Sequence, residues 1–275
     1  MNITFIEGVI LGLVQGLTEF IPVSSSAHLV FFQNFFGLKE PIIFFDVCLH
    51  LGTLLAVVIF LKDDLKSIFL ECLSLFIPKD KMELKQRWKS SSYARFALLA
   101  IVATIPTSLI GLFFKERFEL LFSSVPAVGL MLMVTGVILY LTKRIRNAGK
   151  EIDGITILDA LIIGVAQGLA IAPGISRSGS TISFGIFRGI KQDIAARFSF
   201  LLSIPAILGA TIIKFDSPLN LNEGMFTYLA GAIVAALAGY LSLKLLSSMI
   251  RKGQLSYFSP YCIVAGSLAV LTSFL

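Results

Sequence analysis

The 275-residue sequence has few charged residues, few cysteines and few histidines. Charged residues make up 15% of the chain, against roughly 25% in soluble globular domains, whereas hydrophobic residues make up 56%. The three cysteines show no C-x-x-C or metal-ligand spacing, so they predict neither a disulfide framework nor a zinc site. We interpret them as small buried hydrophobic residues; they are Cys48, Cys72 and Cys262. This composition predicts a membrane protein with several spans.

The basic n-region of a secretory signal peptide is also missing. The first residues read M-N-I-T-F-I-E-G and include Glu7, so we expect the N-terminus to be retained. The formal net charge of +6 could suit nucleic acid, but the Lys and Arg residues cluster between apolar segments, as the positive-inside bias places them. We therefore expect the membrane, and no nucleic acid, as a partner.

A polar stretch near the N-terminus, Q-G-L-T-E-F-I-P-V-S-S-S-A-H, begins at Gln15 inside otherwise apolar sequence. Gln15 and Glu19 are four residues apart and therefore share one face of a helix, and Ser24 and His28 repeat that spacing. Pro22 lies between the two pairs and interrupts the helix. The stretch therefore predicts a helix, a break and a second helix.

A similar stretch, G-V-A-Q-G-L-A-I-A-P-G-I-S-R-S-G-S-T, surrounds Pro173 and places Arg177 in a hydroxyl-rich run. We expect the acidic first stretch and this basic one to meet. The arms of both are shorter than the about 20 helical residues that a membrane span needs. Residues 2–36 and 155–187 are therefore predicted to be re-entrant hairpins that line a site, since irregular backbone at membrane depth must face protein or a watery cavity.

The remaining apolar runs predict three spans in each half of the chain. They lie at 42–61, 96–114 and 125–141, and at 198–213, 226–246 and 257–274. Because three is odd, the second half enters the membrane from the opposite side. We therefore predict an all-α polytopic membrane protein with one domain, 1–275. It is built as an inverted-topology repeat of residues 1–142 and 154–275, each half comprising one re-entrant helix hairpin plus three transmembrane helices.

The distribution of basic residues supports one orientation. With the N-terminus outside, the cytoplasmic loops hold 17 of the 23 Lys and Arg residues and the outer loops hold four. Both termini are therefore predicted on the outer side. In the first cytoplasmic loop, residues 65–77 are amphipathic and are expected to lie on the membrane surface.

Arg177 is the most informative single residue, because a guanidinium at membrane depth costs at least about 2.5 kcal/mol unless it faces a polar cavity or a partner. Gly174 and Gly179 allow close backbone approach, and nearby hydroxyls can cap a helix N-terminus that favours phosphate. These hydroxyl residues are Ser176, Ser178, Ser180 and Thr181. The run indicates a phosphate site; the alternative is a basic turn near the membrane surface with capping serines.

The first stretch offers groups for acid–base or metal chemistry. Glu19 is interpreted as a metal ligand or general base, or as a buried carboxylate paired with Arg177, and these roles can coexist. Gln15 can hydrogen-bond or ligate through its carbonyl oxygen but cannot act as a base. His28 follows three serines and is a candidate acid or base, whereas His50 is interpreted as helix packing or as a group supporting the site.

Both stretches closely resemble motifs of the undecaprenyl-diphosphate phosphatase family of the bacitracin-resistance type. Q-G-L-T-E-F-I-P-V-S-S-S-A-H-L resembles its [E/Q]-x-x-x-E and P-V-S-S-x-x-H motifs, and P-G-I-S-R-S-G-S-T resembles P-G-x-S-R-S-x-x-T. The motifs are specific, and the resemblance in length and layout covers the whole chain. Two positions depart from the pattern. Gln15 replaces a glutamate of many members, and Ala27 replaces a glycine, so a positive φ just before His28 is not expected.

The resemblance implies a multi-pass phosphatase of the bacterial plasma (inner) membrane. Such an enzyme removes the terminal phosphate of a C55 polyprenyl diphosphate lipid, recycles the carrier for peptidoglycan synthesis and gives bacitracin resistance. The resemblance also implies a divalent cation, Mg²⁺ or Ca²⁺, with Gln15 and Glu19 as metal ligands, and it is compatible with a homodimer. The implied catalytic residues are Glu19, Ser25, His28 and Arg177, and the implied substrate-binding residues are Gln15, Ser24, Ser26, Gly174, Ser176, Ser178 and Thr181.

The predicted reaction is phosphoanhydride hydrolysis. Arg177 and the N–H groups after Pro173 hold the diphosphate, a cation near Glu19 offsets charge, and Ser25 or His28 attacks or activates water. The i,i+3 spacing favours Ser25 as nucleophile with His28 as its base. The rival hypothesis is a transporter or flippase of an anionic polyprenyl lipid, because inverted repeats with broken helices are transporter architecture. A transporter needs Arg177 but has less use for Ser25 and His28.

Overall fold

The computed structural model describes residues 3–38, 43–75, 87–88, 90–145, 148–214 and 224–272. Within them the chain is helical, and no strand forms beyond an isolated bridge between Lys150 and Ile190. Short 3₁₀ helices occupy Ile152–Gly154 and Leu255–Phe258. The α-helices are α1 Phe5–Phe20, α2 Ser25–Phe35, α3 Ile43–Phe60, α4 Lys62–Leu75, α5 Ser92–Phe113, α6 Lys115–Phe122, α7 Val125–Thr142, α8 Ile157–Leu169, α9 Arg177–Phe187, α10 Gln192–Lys214, α11 Met225–Arg251 and α12 Ser259–Leu271.

Four of these helices, α5, α7, α10 and α11, are long and apolar enough to cross a membrane. A fifth candidate is the pair of α3 and α4, which is bent by 71° between Phe60 and Lys62. Four of the six predicted spans therefore correspond to helices of sufficient length, and the span predicted at 42–61 corresponds to α3, which reaches that length only together with α4. The sixth corresponds to α12, whose 13 residues are fewer than a span needs, and residues 273–275 lie outside the described part of the chain.

Residues 65–75 of the helix predicted over 65–77 lie in α4, and residues 76 and 77 lie outside the described residues. The position of this helix on the membrane surface stays a prediction. One short helix was not predicted. The residues between the predicted spans 96–114 and 125–141 form α6. In this helix Lys115 Nζ lies 4.0 Å from Glu119 Oε1, one turn further along.

Both broken segments have the predicted sequence of helix, break and helix, and they repeat the same local contacts 152 positions apart. Thr4 and Thr156 each begin a helix through a capping box. At the far ends, Gly37 and Gly189 follow α2 and α9 with φ angles of 73° and 82°. The residues after them donate backbone hydrogen bonds to carbonyls five residues back, as in a Schellman motif. The first segment thus has a counterpart of the same construction in the second half.

In the second broken segment, the start of α8 and the end of α9 lie side by side. Asp159, in the first turn of α8, accepts a hydrogen bond from Arg188 Nε at 2.7 Å, directly after the end of α9. Lys150 Nζ donates to the same carboxylate at 2.9 Å. The arms α8 and α9 therefore form a hairpin that begins and ends at one place, and its break lies at the opposite end.

The helices of the two halves pack through residues that lack large side chains. Gly12 of α1 faces the backbone of Gly231 in α11, and Gly164 of α8 faces the backbone of Ala103 in α5; neither site has room for a Cβ atom. Small residues allow helix backbones to approach this closely. Each broken segment is therefore held by a helix from the other half of the chain, which brings their two breaks together.

Candidate active site

A single carboxylate, that of Glu19, joins the two broken segments. The residue lies in the last turn of α1 and is 8% exposed. Its Oε1 accepts a hydrogen bond from Arg177 Nη2 at 2.7 Å. Its Oε2 accepts from Gln15 Nε2 at 2.9 Å and from Ser25 Oγ at 2.6 Å. The structure therefore brings together four residues that the sequence singles out, one of them from the other half of the chain.

The first break is built around Ser24. Its φ of 67° is the only positive value at a non-glycine residue in the described chain. Its Oγ caps α2 by accepting a hydrogen bond from Ala27 N at 3.4 Å and lies 3.1 Å from Ser26 Oγ. Ala27 itself is buried within α2, in agreement with the prediction that no positive φ precedes His28. A non-glycine residue in this region costs about 1–3 kcal/mol, and such strain concentrates at functional sites.

The second break is held by Thr135 of α7. Thr135 Oγ1 donates to Gly174 O and accepts from Ser176 N, both at 2.9 Å. Ser176 Oγ accepts from Gly179 N at 3.1 Å and lies 3.2 Å from Ser178 Oγ. These contacts repeat the capping serine and serine pair of the first break, and they start α9 at its arginine.

Two predicted substrate-binding residues of this break have partners within the protein. Gly174 has a φ of 99° and packs against the backbone of Val128, where a side chain does not fit, so glycine is required there without a ligand. Thr181 Oγ1 lies 2.6 Å from Ser199 Oγ and donates to Arg177 O at 2.8 Å. Their contact with substrate stays a prediction.

Arg177 and Glu19 form a largely buried ion pair, with 15% and 7% of their side chains exposed. Arg177 Nη1 also donates to Ser199 O at 3.3 Å. Removing one partner of a buried pair costs about 3–5 kcal/mol, because the remaining charge is left uncompensated. Glu19 therefore neutralises the Arg177 guanidinium between the two breaks.

His28 is close to these residues in sequence but has different partners. Its Nδ1 lies 2.8 Å from Ser24 O, and its Nε2 lies 2.6 Å from Tyr261 OH in α12. The expected Ser25–His28 pair does not form among the described contacts, because Ser25 Oγ turns across the break to Glu19 instead. In this structure the acceptor for the Ser25 hydroxyl hydrogen is therefore a carboxylate.

His50, interpreted from the sequence as helix packing or as a group supporting the site, lies beside Glu19, whereas Tyr261 and Ser199 were not predicted. His50 Nε2 lies 3.8 Å from Glu19 Oε2, and its Nδ1 is held by Asp46 O at 2.7 Å. The only sequence signal was an isolated imidazole in an apolar helix. Tyr261 and Ser199 gave no signal, because they reach the site only through the packing of α12 and α10.

The predicted cation ligands, Gln15 and Glu19, present the oxygen donors that Mg²⁺ and Ca²⁺ bind. Gln15 Oε1 is buried and has no hydrogen-bond partner, so it is free to ligate. No group of three His, Cys, Asp or Glu side chains that could hold a metal ion occurs among the described residues. The residues therefore suit a cation that completes its coordination with phosphate oxygens, which is common for Mg²⁺.

Known proteins are similar in sequence to this chain along almost its whole length. The family model of the bacitracin resistance protein BacA matches residues 8–268. The "undecaprenyl-diphosphatase" of Desulfatibacillum aliphaticivorans is 45% identical over 275 residues, which cover 98% of this chain and 99% of that protein. Proteins of the same name from Alkaliphilus metalliredigens and Methanobrevibacter smithii are 42% and 39% identical, over 99% and 98% of this chain and 100% and 97% of their own.

Proposed function

The chain belongs to the bacitracin resistance protein BacA family, and from this membership we propose that it is an undecaprenyl-diphosphatase. It hydrolyses undecaprenyl diphosphate to undecaprenyl phosphate and inorganic phosphate. The reaction recycles the lipid carrier of peptidoglycan synthesis and thereby gives resistance to bacitracin. Beside the family, the observation that carries the proposal is the convergence of Arg177, Glu19 and Ser25 where α2 and α9 begin.

Arg177 is proposed to bind the diphosphate. Its planar fork can pair with two phosphate oxygens at once. Ser25 and Arg177 are the first residues of α2 and α9, so the free backbone N–H groups of two helix N-termini lie beside the same carboxylate and favour the phosphate charge. Since these positive groups are fixed in a mostly buried site, stabilisation of the developing charge is expected to be the largest contribution to the rate.

Ser25 is the proposed nucleophile, with Glu19 as its base. Ser25 Oγ donates to Glu19 Oε2 at 2.6 Å, so the carboxylate takes the proton as Oγ attacks the terminal phosphorus. The bond from phosphorus to the bridging oxygen breaks, and undecaprenyl phosphate leaves with that electron pair. Water then attacks the phosphorus and the bond from phosphorus to Oγ breaks. Oγ takes back the proton from Glu19, and the phosphoryl group leaves as inorganic phosphate. In the alternative mechanism His28 activates a water that attacks directly.

A divalent cation, Mg²⁺ or Ca²⁺, is proposed to bind at Gln15 Oε1 and Glu19 together with the diphosphate. It supplies positive charge that offsets the charge of the phosphate oxygens. The unpartnered Gln15 Oε1 supports this assignment. The predicted substrate-binding residues at the two helix starts are proposed to shape the phosphate site through their hydrogen bonds. Ser24 and Ser176 cap the helices, Ser26 and Ser178 pair with these capping serines, and Thr181 donates to Arg177 O.

The chain is a multi-pass membrane protein, and we propose the inverted-topology repeat with both termini on the outer side of the plasma membrane. The contacts repeated 152 positions apart and the closed ends of the second hairpin support it. A cysteine introduced at Ser123 should react with an impermeant probe from outside intact cells, and one at Gly149 should not. The reverse labelling pattern would contradict this orientation. A homodimer stays a prediction, to be checked by light scattering in detergent.

Phosphate release by purified protein from undecaprenyl diphosphate in detergent tests the proposed function. Ser25→Ala should lower turnover at least a hundredfold, because it removes the attacking oxygen. Ser267→Ala, a matched change in α12 where the hydroxyl contacts Met133 Sδ, should stay within twofold. The transporter hypothesis is not favoured by the names of the relatives. Movement of the lipid between vesicle leaflets without phosphate release would overturn the phosphatase assignment.

A further inference from the structure

The last helix contributes a tyrosine to this site, and we propose that Tyr261 is a positioning residue for the hydrolysis, acting through His28. The inference rests on the proposed function. Tyr261 OH lies 2.6 Å from His28 Nε2. The planes of the two rings are nearly parallel, 7° apart, with centroids separated by 5.8 Å. The hydrogen bond to Tyr261 and the contact of Nδ1 with Ser24 O together hold the imidazole in one orientation.

The partners of His28 also define where its hydrogen lies. Its Nδ1 is 2.8 Å from Ser24 O, and a carbonyl oxygen can only accept, so Nδ1 carries a hydrogen. In the neutral ring Nε2 is then the acceptor, and Tyr261 OH donates to it. Tyr261 therefore keeps Nε2 of His28 directed to α12 and away from Ser25, and keeps Nδ1 on Ser24 O. The imidazole then acts on the reaction by holding the backbone directly before the nucleophile Ser25, and not as the base.

The surroundings make this contact hard to replace. His28 is 7% exposed, and its other aromatic neighbour is Phe31, with ring centroids 6.3 Å apart. Tyr261 OH is thus the one side-chain hydrogen-bond partner of Nε2 among the described residues. The next residue of α12 fixes the helix against the first break, where Cys262 Sγ donates to Pro22 O at 3.5 Å. Tyr261 is itself 49% exposed.

Tyr261→Phe is the informative change, because it removes the hydroxyl and keeps the ring. We expect kcat to fall about fivefold to tenfold, the factor that corresponds to roughly 1–1.4 kcal/mol. KM should stay within twofold, because Tyr261 does not hold the diphosphate. Tyr257→Phe is the matched control, since Tyr257 is 66% exposed in the 3₁₀ helix just before α12, and it should leave both constants unchanged.

Nitrogen NMR provides a readout that does not depend on activity. The chain has only two histidines, so ¹⁵N-histidine labelling gives two pairs of ring nitrogen signals, and His50→Gln assigns each pair to its residue. In the unaltered protein His28 should show a protonated Nδ1 and an accepting Nε2, and in Tyr261→Phe its Nε2 signal should shift while that of His50 does not. In a His28→Gln background, Tyr261→Phe should cause no further loss of turnover.

Each result decides a different question. A His28 ring with its hydrogen on Nε2 in the unaltered protein overturns the positioning role without any variant. An equal loss of turnover on Tyr261→Phe with and without His28 also overturns it, because the tyrosine would then act independently. A protein that shows the expected NMR signature but releases no phosphate would refute the proposed function instead and leave the contact established.

Discussion

Arg177→Lys keeps the positive charge of the site but removes its planar fork. In the structure Arg177 Nη2 donates to Glu19 Oε1 at 2.7 Å while Nη1 donates to Ser199 O at 3.3 Å. A lysine ammonium is a point charge on a flexible stem, so it cannot donate to Glu19 and Ser199 in the same fixed geometry or bind two oxygens of one phosphate side by side. We therefore expect the charge balance with Glu19 to survive and the geometry for the diphosphate to be lost.

The size of the effect follows from the hydrogen bonds involved. A hydrogen bond to a charged group contributes about 1.5–3 kcal/mol, which corresponds to a factor of about 10 to 150 in rate. Loss of one such bond in the transition state should lower kcat/KM by that factor. The melting temperature should change little, because an ammonium at this position still compensates the buried carboxylate of Glu19.

Phosphate release from undecaprenyl diphosphate measures the loss, with Arg188→Lys as the matched control. Arg188 follows the other end of α9 and also contacts a carboxylate, with its Nε 2.7 Å from Asp159 Oδ1. It lies away from the break, so its lysine variant should keep turnover within twofold. An Arg177→Lys enzyme with near-normal kcat/KM would show that the fork does not bind the diphosphate and that Arg177 serves only its ion pair.

Three further outcomes are expected. Ser25→Ala and Glu19→Gln should each cost nearly as much turnover as the double variant, because nucleophile and base act as a unit; a shared loss of Ser25 with His28 instead would assign the base to the histidine. Gln15→Glu should lower the Mg²⁺ concentration for half-maximal activity, since it adds a second carboxylate beside Glu19, and a raised requirement would exclude Gln15 as a ligand. Burial raises the pKa of Asp159, but hydrogen bonds from two basic side chains and the helix cap outweigh it and hold that pKa at about 2, below the ordinary 3.8. Because the folded pKa is the lower one, this stabilisation is present above about pH 4 and is lost towards pH 2. Thermal melting in detergent should show that loss, and Asp159→Asn should not.

The broken helices could be predicted from the sequence because their causes are local. Pro22 and Pro173 interrupt apolar periodicity, and the capping serines follow at once. The meeting of Glu19 with Arg177 was also predictable, since a buried guanidinium needs an anion and few were available. Spacing alone did not predict the hydrogen-bond partner of the Ser25 hydroxyl. It placed Ser25 and His28 on one helical face, but Glu19 lies closer to the hydroxyl across the break.

Contacts between distant parts of the chain could not be predicted from the sequence. The contact of Tyr261 with His28 spans 233 positions, and no periodicity encodes it. The approach of His50 to Glu19 depends on how α3 packs beside α1. The short length of α12 could not be predicted either, because the apolar run at 257–274 is long enough for a span. In the structure the first residues of that run belong to the 3₁₀ helix Leu255–Phe258, and α12 begins only at Ser259.

The packing of α1 on α11 also determines the order in which this protein can mature. Ser242 Oγ of α11 donates to Leu17 O of α1 at 3.3 Å across 225 positions. A ribosome therefore delivers the first hairpin, with Glu19, long before it makes the helix that holds it or the arginine that neutralises it. During synthesis the N-terminal hairpin is made before α11, on which it packs, and before Arg177, which pairs with Glu19. The full set of contacts around α1 can therefore form only once α11 has been made.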